Sequence, residues 1–161
     1  MNLILIEQDE VKRNRAILTD RRGKHILKIL KSKTGDTLRV GIINGRTGTG
    51  KVMAISKKQV TLELDLNGPT PERPPTDLIL ALPRPIMLKR VLAQATTLGV
   101  GRIFLTNANR VEKSFFSASL LKEENYQQFL LNGLEQSMDT VLPELHIFKR
   151  FRPFVEDKLP E

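Results

Sequence analysis

The segment from Gly68 to Pro75 limits what this chain can fold into more than any other part of the sequence. It holds four of the nine prolines found in 161 residues. Proline fixes its own φ, lacks a backbone donor and restricts the residue before it, so neither a helix nor a central strand runs through such a segment. We therefore predict two domains, residues 1–67 and 77–161, joined by a proline-rich linker at residues 68–76.

Positive charge is concentrated before this linker. Residues 12–58 contain 14 lysines and arginines but only two acidic residues, Asp20 and Asp36, so this stretch carries +12 in a chain whose net charge is +8. Residues 67–161, with 12 basic and 11 acidic residues, are close to neutral. A clustered positive charge attracts a polyanion because binding releases the counterions of the polyanion. The first domain is therefore predicted to bind nucleic acid; the alternative is a solvated surface without a ligand.

Several classes of protein are disfavoured by composition. The chain has no cysteine, and its two histidines, His25 and His146, are far apart in sequence. Disulfides, thiol nucleophiles and the usual zinc sites therefore lack ligands, and we expect no metal site. The apolar runs are too short to span a bilayer and the start does not resemble a signal peptide. We expect no membrane partner and a cytoplasmic location.

The first domain has mainly a strand pattern. Asn44-Gly45 between two strand-like runs predicts a type I′ hairpin, which needs positive φ at both positions. A helix capped by Asp20 is predicted to run to about Lys31, with Ile26, Leu27 and Leu30 on its inner side. The predicted strands are residues 3–6, 37–43, 50–56 and 59–66. Together these features predict a small β barrel, or a curled sheet, that carries one basic helix.

That helix is the densest basic feature of the chain. Acidic residues are scarce around it, so its cations cannot all pair within the chain, and contact with phosphates is their natural use. The alternative is a solvated amphipathic helix, and His25 by itself is equally compatible with packing. The predicted RNA-binding residues are Arg21, Arg22, Lys24, His25, Lys28 and Lys31.

Residues 45–51 match the spacing of a phosphate-binding P-loop, but the surrounding sequence does not. Val52 stands where Mg²⁺ binding needs serine or threonine, and the following residues predict a strand instead of a helix. We therefore interpret this segment as a glycine-rich hairpin tip, whose Arg46 and Lys51 remain available to phosphates. A P-loop nucleotide hydrolase is the least favoured interpretation.

The second domain has an alternating pattern. Strands are predicted at residues 77–82, 102–106 and 144–148. Helices are predicted at 86–98, with Gly99 as the C′ residue, and at 119–138, and the start of another at 151–159. This β-α-β-α-β order implies a parallel sheet with right-handed crossovers. The continuously apolar first strand predicts burial on both faces of that sheet.

Candidate site residues in this domain follow its strands. Arg84 and Arg110 come just after the first two strands, and the carboxyl edge of an open α/β sheet is where ligands bind. Each arginine either binds a phosphate there or solvates a loop. Glu135 and Gln136 end the second helix, where they either reach the same edge or are ordinary helix surface. No glycine-rich dinucleotide motif follows the first strand, so a classical dinucleotide site is not predicted there.

The ordered set of motifs resembles that of the RsmE-type SPOUT methyltransferases. In the first domain the similarity lies in the H-x-x-K-I-L-K-x-x-x-G-D unit of residues 25–36, followed by strands and Asn44-Gly45. In the second domain the similar stretches are Leu82-Pro83, residues 94–100, Ile103–Thr106 with Asn109-Arg110, Glu135-Gln136-Ser137 and residues 142–145. The resemblance implies a PUA-like domain followed by the first part of a SPOUT methyltransferase domain.

The resemblance also implies an activity: S-adenosylmethionine-dependent methylation of N3 of a uridine in 16S ribosomal RNA, by a homodimer bound to that RNA or to the small ribosomal subunit. Arg110 is the retained candidate for a catalytic-site residue. The family's cofactor site lies in a glycine-rich C-terminal knot, and no glycine follows Gly133 here. We therefore expect no cofactor site in these 161 residues. The alternative function is a non-catalytic RNA-binding module of PUA type.

Overall fold

The computed structural model describes residues 2–159 and divides them into two compact units. The first unit holds the described residues up to Glu72 together with Met138–Val141, and the second holds Arg73–Ser137 and the described residues from Leu142 onward. No helix or strand occurs between Asp65 and Asp77 in this part of the chain. The segment at 138–141 was expected in the second domain; it belongs to the first because the Thr140 hydroxyl donates to the Gly45 carbonyl at 2.7 Å.

The first unit is a five-stranded mixed sheet with one helix. Its elements are β1 (Ile4–Ile6), β2 (Arg15–Leu18), α1 (Arg21–Lys28), β3 (Thr37–Ile42), β4 (Thr47–Ile55) and β5 (Val60–Asp65). The strand order is β1-β3-β4-β5-β2, with β1 parallel to β3 and the other pairs antiparallel. The end strands β1 and β2 share no ladder among the described residues, so the sheet is a half barrel and not a closed one.

One face of this sheet forms the core of the unit. Strand β5 shows why: Val60, Leu62 and Leu64 are buried while the residues between them are not, as the alternation predicts. Strand β2 follows the same rule with Ala16 and Leu18 inside. Sequence analysis missed β2, since four residues with one exposed isoleucine give too short an alternating pattern to identify a strand.

The predicted type I′ turn at Asn44-Gly45 is wrong. Asn44 has a φ of +56°, but Gly45 is not among the glycines with positive φ. Residues 43–46 connect the two strands, and the Ile42 amide donates to the Arg46 carbonyl at 2.9 Å across them. Strand β4 then begins at Thr47, so the glycines expected in a hairpin tip at 48 and 50 lie inside a strand. The strand also confirms that no P-loop helix follows Lys51.

Helix α1 begins where the sequence predicts and ends earlier. The Asp20 side chain accepts a hydrogen bond from the Arg22 amide, as expected of an N-cap. The helix ends at Lys28, and Lys31, with a φ of +52°, is already outside helical conformation. Ile26 is buried, whereas Leu30, predicted on the inner side, is 43% exposed.

The second unit is a three-stranded parallel sheet with helices. Its elements are β6 (Asp77–Ala81), α2 (Pro85–Thr97), β7 (Arg102–Thr106), α3 (Glu123–Ser137), β8 (Glu144–Phe148) and α4 (Phe151–Asp157), with 3-10 turns at Lys113–Ser117 and Ser119–Leu121 before α3. The order is β6-β7-β8 and both pairs are parallel, as predicted. Gly99, with a φ of +80°, follows α2 as its predicted C′ residue.

The two faces of this sheet are covered unequally. Leu88, Leu92 and Leu130 from α2 and α3 form one core cluster with Ile103 and Leu105 of β7. On the opposite face Ile79 is 45% exposed. The prediction that β6 is buried on both faces is therefore wrong, because β6 is an edge strand and helices cover only one side of it.

Gly133 sets how closely α2 and α3 approach. A Cβ built at this position would lie 2.5 Å from the Thr96 Cβ and 2.6 Å from the Ala93 carbonyl oxygen. We expect Gly133→Ala to destabilise the protein by about 1–3 kcal/mol through overpacking, although alanine has the better helix propensity. Urea unfolding of both proteins measures this difference.

Gln128→Ala is the matched control, since Gln128 is an exposed residue of the same helix. Its free energy of unfolding should stay within about 0.5 kcal/mol of the original value. A Gly133→Ala protein at least as stable as the unaltered chain would contradict the close approach of the two helices.

Candidate functional site

Helix α1 presents a line of cations to solvent. Arg21, Lys24 and Lys28 have the i, i+3, i+7 spacing that places residues on one face of a helix, and Lys31 follows its end. All four are exposed. We call these four residues the α1 stripe. No ion pair of Lys24, Lys28 or Lys31 is found among residues 2–159, so these ammonium groups are available to an anion.

Arg22, also predicted to bind RNA, is used inside the protein instead. Its guanidinium donates to both carboxylate oxygens of Glu10, at 2.7 and 2.5 Å, and to the Leu5 carbonyl at 2.8 Å. Its Nε donates to Asp20 at 2.9 Å. The side chain is only 12% exposed. Arg22 therefore ties α1 to β1 and to the segment before β2, which leaves little of its guanidinium exposed to a ligand.

The same contacts shift the titration of three groups. The hydrogen bond from Arg22 outweighs desolvation and holds the pKa of the Glu10 carboxyl below its ordinary value. Burial would raise the pKa of Asp20, but hydrogen bonds from the Arg22 side chain and backbone lower it overall. Burial alone would lower the pKa of Arg22, and its two carboxylate partners raise it instead. All three groups therefore stay charged at neutral pH.

His25 and Gly23 are packing positions of α1. His25 is half-buried. Gly23 is buried, and a Cβ built there would lie 2.5 Å from the Leu18 carbonyl oxygen, so this turn of the helix rests directly on the end of β2. The inner face of α1 is thus fixed by backbone contact, and the α1 stripe is held outward.

A second cationic feature, which sequence analysis did not single out, precedes β2. Lys12 and Arg15 exchange backbone hydrogen bonds of 2.9 and 3.0 Å across Arg13 and Asn14, whose φ values are +51° and +59°. Positive φ at both central positions defines a type I′ turn. We call residues 12–15 the KRNR turn. In the sequence, only the asparagine among three cations indicates a turn here. The Asn-Gly pair that usually identifies a hairpin is missing.

This turn borders a wide groove with a volume of about 1270 Å³. The groove runs over the face of the half barrel that does not form the core. Threonines 37, 49 and 61 contribute hydroxyl groups to it. Its charged lining residues are balanced, four basic and four acidic: Lys12, Arg13, Arg15, Lys51, Asp9, Glu10, Glu63 and Asp65.

In the second unit, Arg84 and Arg110 are at the same edge of the sheet. Ala81 and Thr106 are register partners at the ends of β6 and β7, and the two arginines follow them by three and four residues. Both are exposed. Arg84 is also the N-cap residue of α2. The structure thus places both predicted arginines at the carboxyl edge, where open α/β sheets bind ligands.

Glu135 and Gln136 do not join them. Helices α2 and α3 run side by side in the same direction, since Lys89 lies over the Phe129 ring and Gly133 packs against Thr96. Glu135 is therefore level with the end of α2, about 20 Å along the helix from Arg84 at its start. It is also buried, at 3% exposure. Of the two interpretations of these residues, the structure contradicts a position at the carboxyl edge, because a crossover helix returns the chain to the amino edge.

A smaller groove lies after β8. Its volume is about 330 Å³, and it is lined by Lys149, Arg150 and Lys158 with one carboxylate, Asp157, beside the apolar Phe148 and Phe154. S-adenosylmethionine carries a sulfonium cation, which such a cationic lining repels. These residues do not fit that cofactor.

No helix among residues 2–159 is long and apolar enough to cross a membrane.

Comparison with known proteins defines the class. Residues 71–160 match the RNA methyltransferase domain family, and residues 18–65 match the RNA methyltransferase PUA domain. The chain therefore belongs to the RNA methyltransferase domain family, with a PUA domain before the methyltransferase domain. The predicted order, a PUA-like domain followed by a methyltransferase domain with a parallel sheet, is confirmed.

Two named proteins are similar in sequence to nearly the whole chain. The chain is 34% identical over 157 residues to ribosomal RNA small subunit methyltransferase E of Treponema pallidum, covering 96% of this chain and 59% of that protein. It is 28% identical to methyltransferase E 1 of Borreliella burgdorferi, covering 94% of this chain and 63% of that protein. The chain thus spans about three fifths of the length of these relatives.

A solved structure agrees in fold. The ribosomal RNA small subunit methyltransferase E of Neisseria gonorrhoeae, bound to S-adenosyl methionine, matches with a TM-score of 0.75 at 17% identity. The match covers 100% of this chain and 66% of that one. At this identity the similarity establishes the fold of the chain and not its ligands.

Proposed function

We propose that this chain supplies the RNA-docking domain and part of the catalytic scaffold of a methyltransferase that acts on small-subunit ribosomal RNA. The observation that carries the proposal is the exposed α1 stripe on a PUA domain joined, in one chain, to an RNA methyltransferase domain. Ammonium groups without an internal partner suit RNA phosphates, which position a substrate without reading its sequence. The names of the two relatives support small-subunit ribosomal RNA as the substrate.

The finer proposal names an atom and a residue. By resemblance, the methylated atom is N3 of a uridine in 16S ribosomal RNA, and the working enzyme is a homodimer. Arg110 is the proposed catalytic-site residue of this chain, with Arg84 beside it at the same sheet edge. Because a guanidinium keeps its charge throughout the physiological range, these arginines suit binding of a phosphate or of developing negative charge and not proton transfer.

RNA docking is tested by competition. The 161-residue chain is bound to labelled 16S ribosomal RNA, and unlabelled 16S RNA or bulk transfer RNA is added while salt is varied. We expect affinity to fall steeply with salt and 16S RNA to compete better. Binding that does not change with salt would contradict phosphate docking by the α1 stripe.

Cofactor binding gives a separate prediction. Titration of S-adenosylmethionine into the 161-residue chain should give no heat of binding, in line with the cationic groove after β8. One-to-one binding would mean that the described residues form a site not recognised here.

The alternative, a non-catalytic RNA-binding module of PUA type, shares the α1 stripe and differs in chemistry. Incubation of the chain with unmethylated 16S RNA and methyl-labelled S-adenosylmethionine tests it directly. Label recovered in 3-methyluridine would establish the enzyme and contradict the absence of a cofactor site. RNA binding without label leaves docking as the activity of these residues by themselves.

A further inference from the structure

We propose that the KRNR turn, residues 12–15, is a second phosphate-binding site for RNA, placed at the rim of the large groove on the half barrel. The inference rests on the proposed RNA-docking function and extends it to a surface outside the α1 stripe. It is carried by the geometry of the turn, by the free cations on it and by the groove beside it.

The backbone of the turn is fixed in position. Besides the two hydrogen bonds between Lys12 and Arg15, the Asn14 carbonyl accepts from the Leu64 amide of β5 at 2.7 Å. The turn is thus tied to the sheet at its tip as well as at its ends. Cations on a fixed turn lose less conformational freedom on binding than cations on a mobile loop, which favours a defined contact.

Arg13 is an unusual residue for its conformation. A φ of +51° favours glycine or asparagine and disfavours a long side chain. Asn14 satisfies this preference and Arg13 does not. Strained non-glycine residues of this kind cluster at binding sites, and an observed outlier is a reason to look for a function there.

The charges of the turn are not neutralised within the protein. Arg15 pairs with Glu63 at 3.5 Å, and the nearby Glu10 is occupied by Arg22. Lys12 and Arg13 are exposed and form no ion pair with any of residues 2–159. Among the other charged residues of the groove lining, Arg15 and Glu63 pair with each other and Glu10 pairs with Arg22. The unpaired positive charge of the turn therefore lies on Lys12 and Arg13.

The groove explains why RNA suits this turn better than a free phosphate. Its volume, about 1270 Å³, exceeds that of a typical small-molecule pocket and leaves room for nucleotides next to the bound phosphate. Its threonine hydroxyls and carboxylates are partners for ribose hydroxyls and base amino groups. The turn precedes β2 and α1 follows it, so the two cationic surfaces lie at opposite ends of one short strand. Arg22 links the two regions, since it donates to Glu10, which precedes the turn, and to Asp20, which caps α1.

The test is the double variant Lys12→Gln/Arg13→Asn in the full chain, with 16S ribosomal RNA as the probe. Asparagine adopts positive φ more readily than arginine does, so the thermal midpoint of unfolding should stay at or above that of the unaltered chain. We expect about a tenfold loss of affinity, and a salt-dependence slope lower by about 1.4 to 1.8 because two phosphate contacts are lost.

Two controls accompany the variant. Lys12→Arg/Arg13→Lys keeps both charges and should bind within about twofold of the original affinity, as for a site that reads charge. Lys89→Gln/Arg90→Gln removes two exposed cations of α2 and should leave the slope unchanged. A KRNR-turn variant that binds RNA as the unaltered chain does would overturn the inference. If that variant binds normally while an α1-stripe variant does not, the proposed function stands without this site. An unaltered chain that does not bind RNA refutes the proposed function itself.

Discussion

Replacement of Lys24 and Lys28 by glutamine and of Lys31 by asparagine is expected to weaken binding to 16S ribosomal RNA by about 10- to 100-fold at moderate salt. Each exposed contact contributes up to about 1 kcal/mol, and about 1.4 kcal/mol corresponds to a factor of ten. The slope of log affinity against log salt should fall by about 2 to 3, because each phosphate contact contributes about 0.7 to 0.9. Filter binding over a salt series measures both quantities.

The matched control keeps the charge. In Lys24→Arg/Lys28→Arg/Lys31→Arg, all three positions of the α1 stripe remain cationic, so affinity and slope should be close to the original values. Asparagine is chosen at Lys31 in the test variant because this residue has a φ of +52°. Equal RNA binding by the neutral and the charged variants would show that the α1 stripe is only a solvated helix face.

The second large effect is expected at Arg22. Arg22→Met keeps most of the side-chain volume but leaves Glu10 without the guanidinium that pairs with it and frees the Leu5 carbonyl. Breaking a buried pair costs about 3–5 kcal/mol. Since Glu10 and Asp20 are partly exposed, we expect a loss of about 2–3 kcal/mol, measured by urea unfolding.

The pH dependence of the free energy of unfolding tests the contacts of Arg22 independently. The pKa values of Glu10 and Asp20 are lowered in the folded protein from ordinary values of 4.5 and 3.8. Their stabilisation is therefore fully present above those values and is lost as the pH falls through the lower folded values. Arg22→Met should lose less stability on acidification than the unaltered chain does.

RNA binding separates the two roles considered for Arg22. A structural residue leaves the salt slope of the folded variant unchanged, whereas a phosphate contact would lower it by about 0.7 to 0.9. Arg22→Lys retains the charge but not the paired geometry of a guanidinium, so it should still be destabilised. A slope that falls in Arg22→Met with no loss of stability would restore the original RNA-binding hypothesis.

Much of the fold could be predicted from local pattern. Residues 102–106 and 144–148 are strands with the predicted bounds, because short apolar runs between turn residues are sufficient to identify a strand. Asp20 caps α1 and Gly99 ends α2 as expected, since each depends only on neighbouring backbone geometry. The parallel order of the second sheet follows from the alternation of strands and helices.

The candidate site was less predictable, because site residues depend on contacts far apart in sequence. Arg22 has the same residue type and local setting as Arg21, and only the approach of Glu10 and Leu5 turns it inward. Gly45 follows Asn44 as in a type I′ turn, yet the backbone and hydroxyl of Thr140 hold that loop in another form. The KRNR turn has two positive φ values without glycine because β5 fixes it from the side.

The sequence by itself determined the two-part organisation, the strand and helix content, and the concentration of positive charge in the first part, since proline content, periodicity and composition act locally. Tertiary structure alone decided which cations are available to RNA. It also placed Glu135 at the opposite end of the second unit from Arg84. The physical reason is the same in both cases: a charged side chain takes the partner or the solvent that folding brings within reach, and that distance is not encoded by its neighbours in the chain.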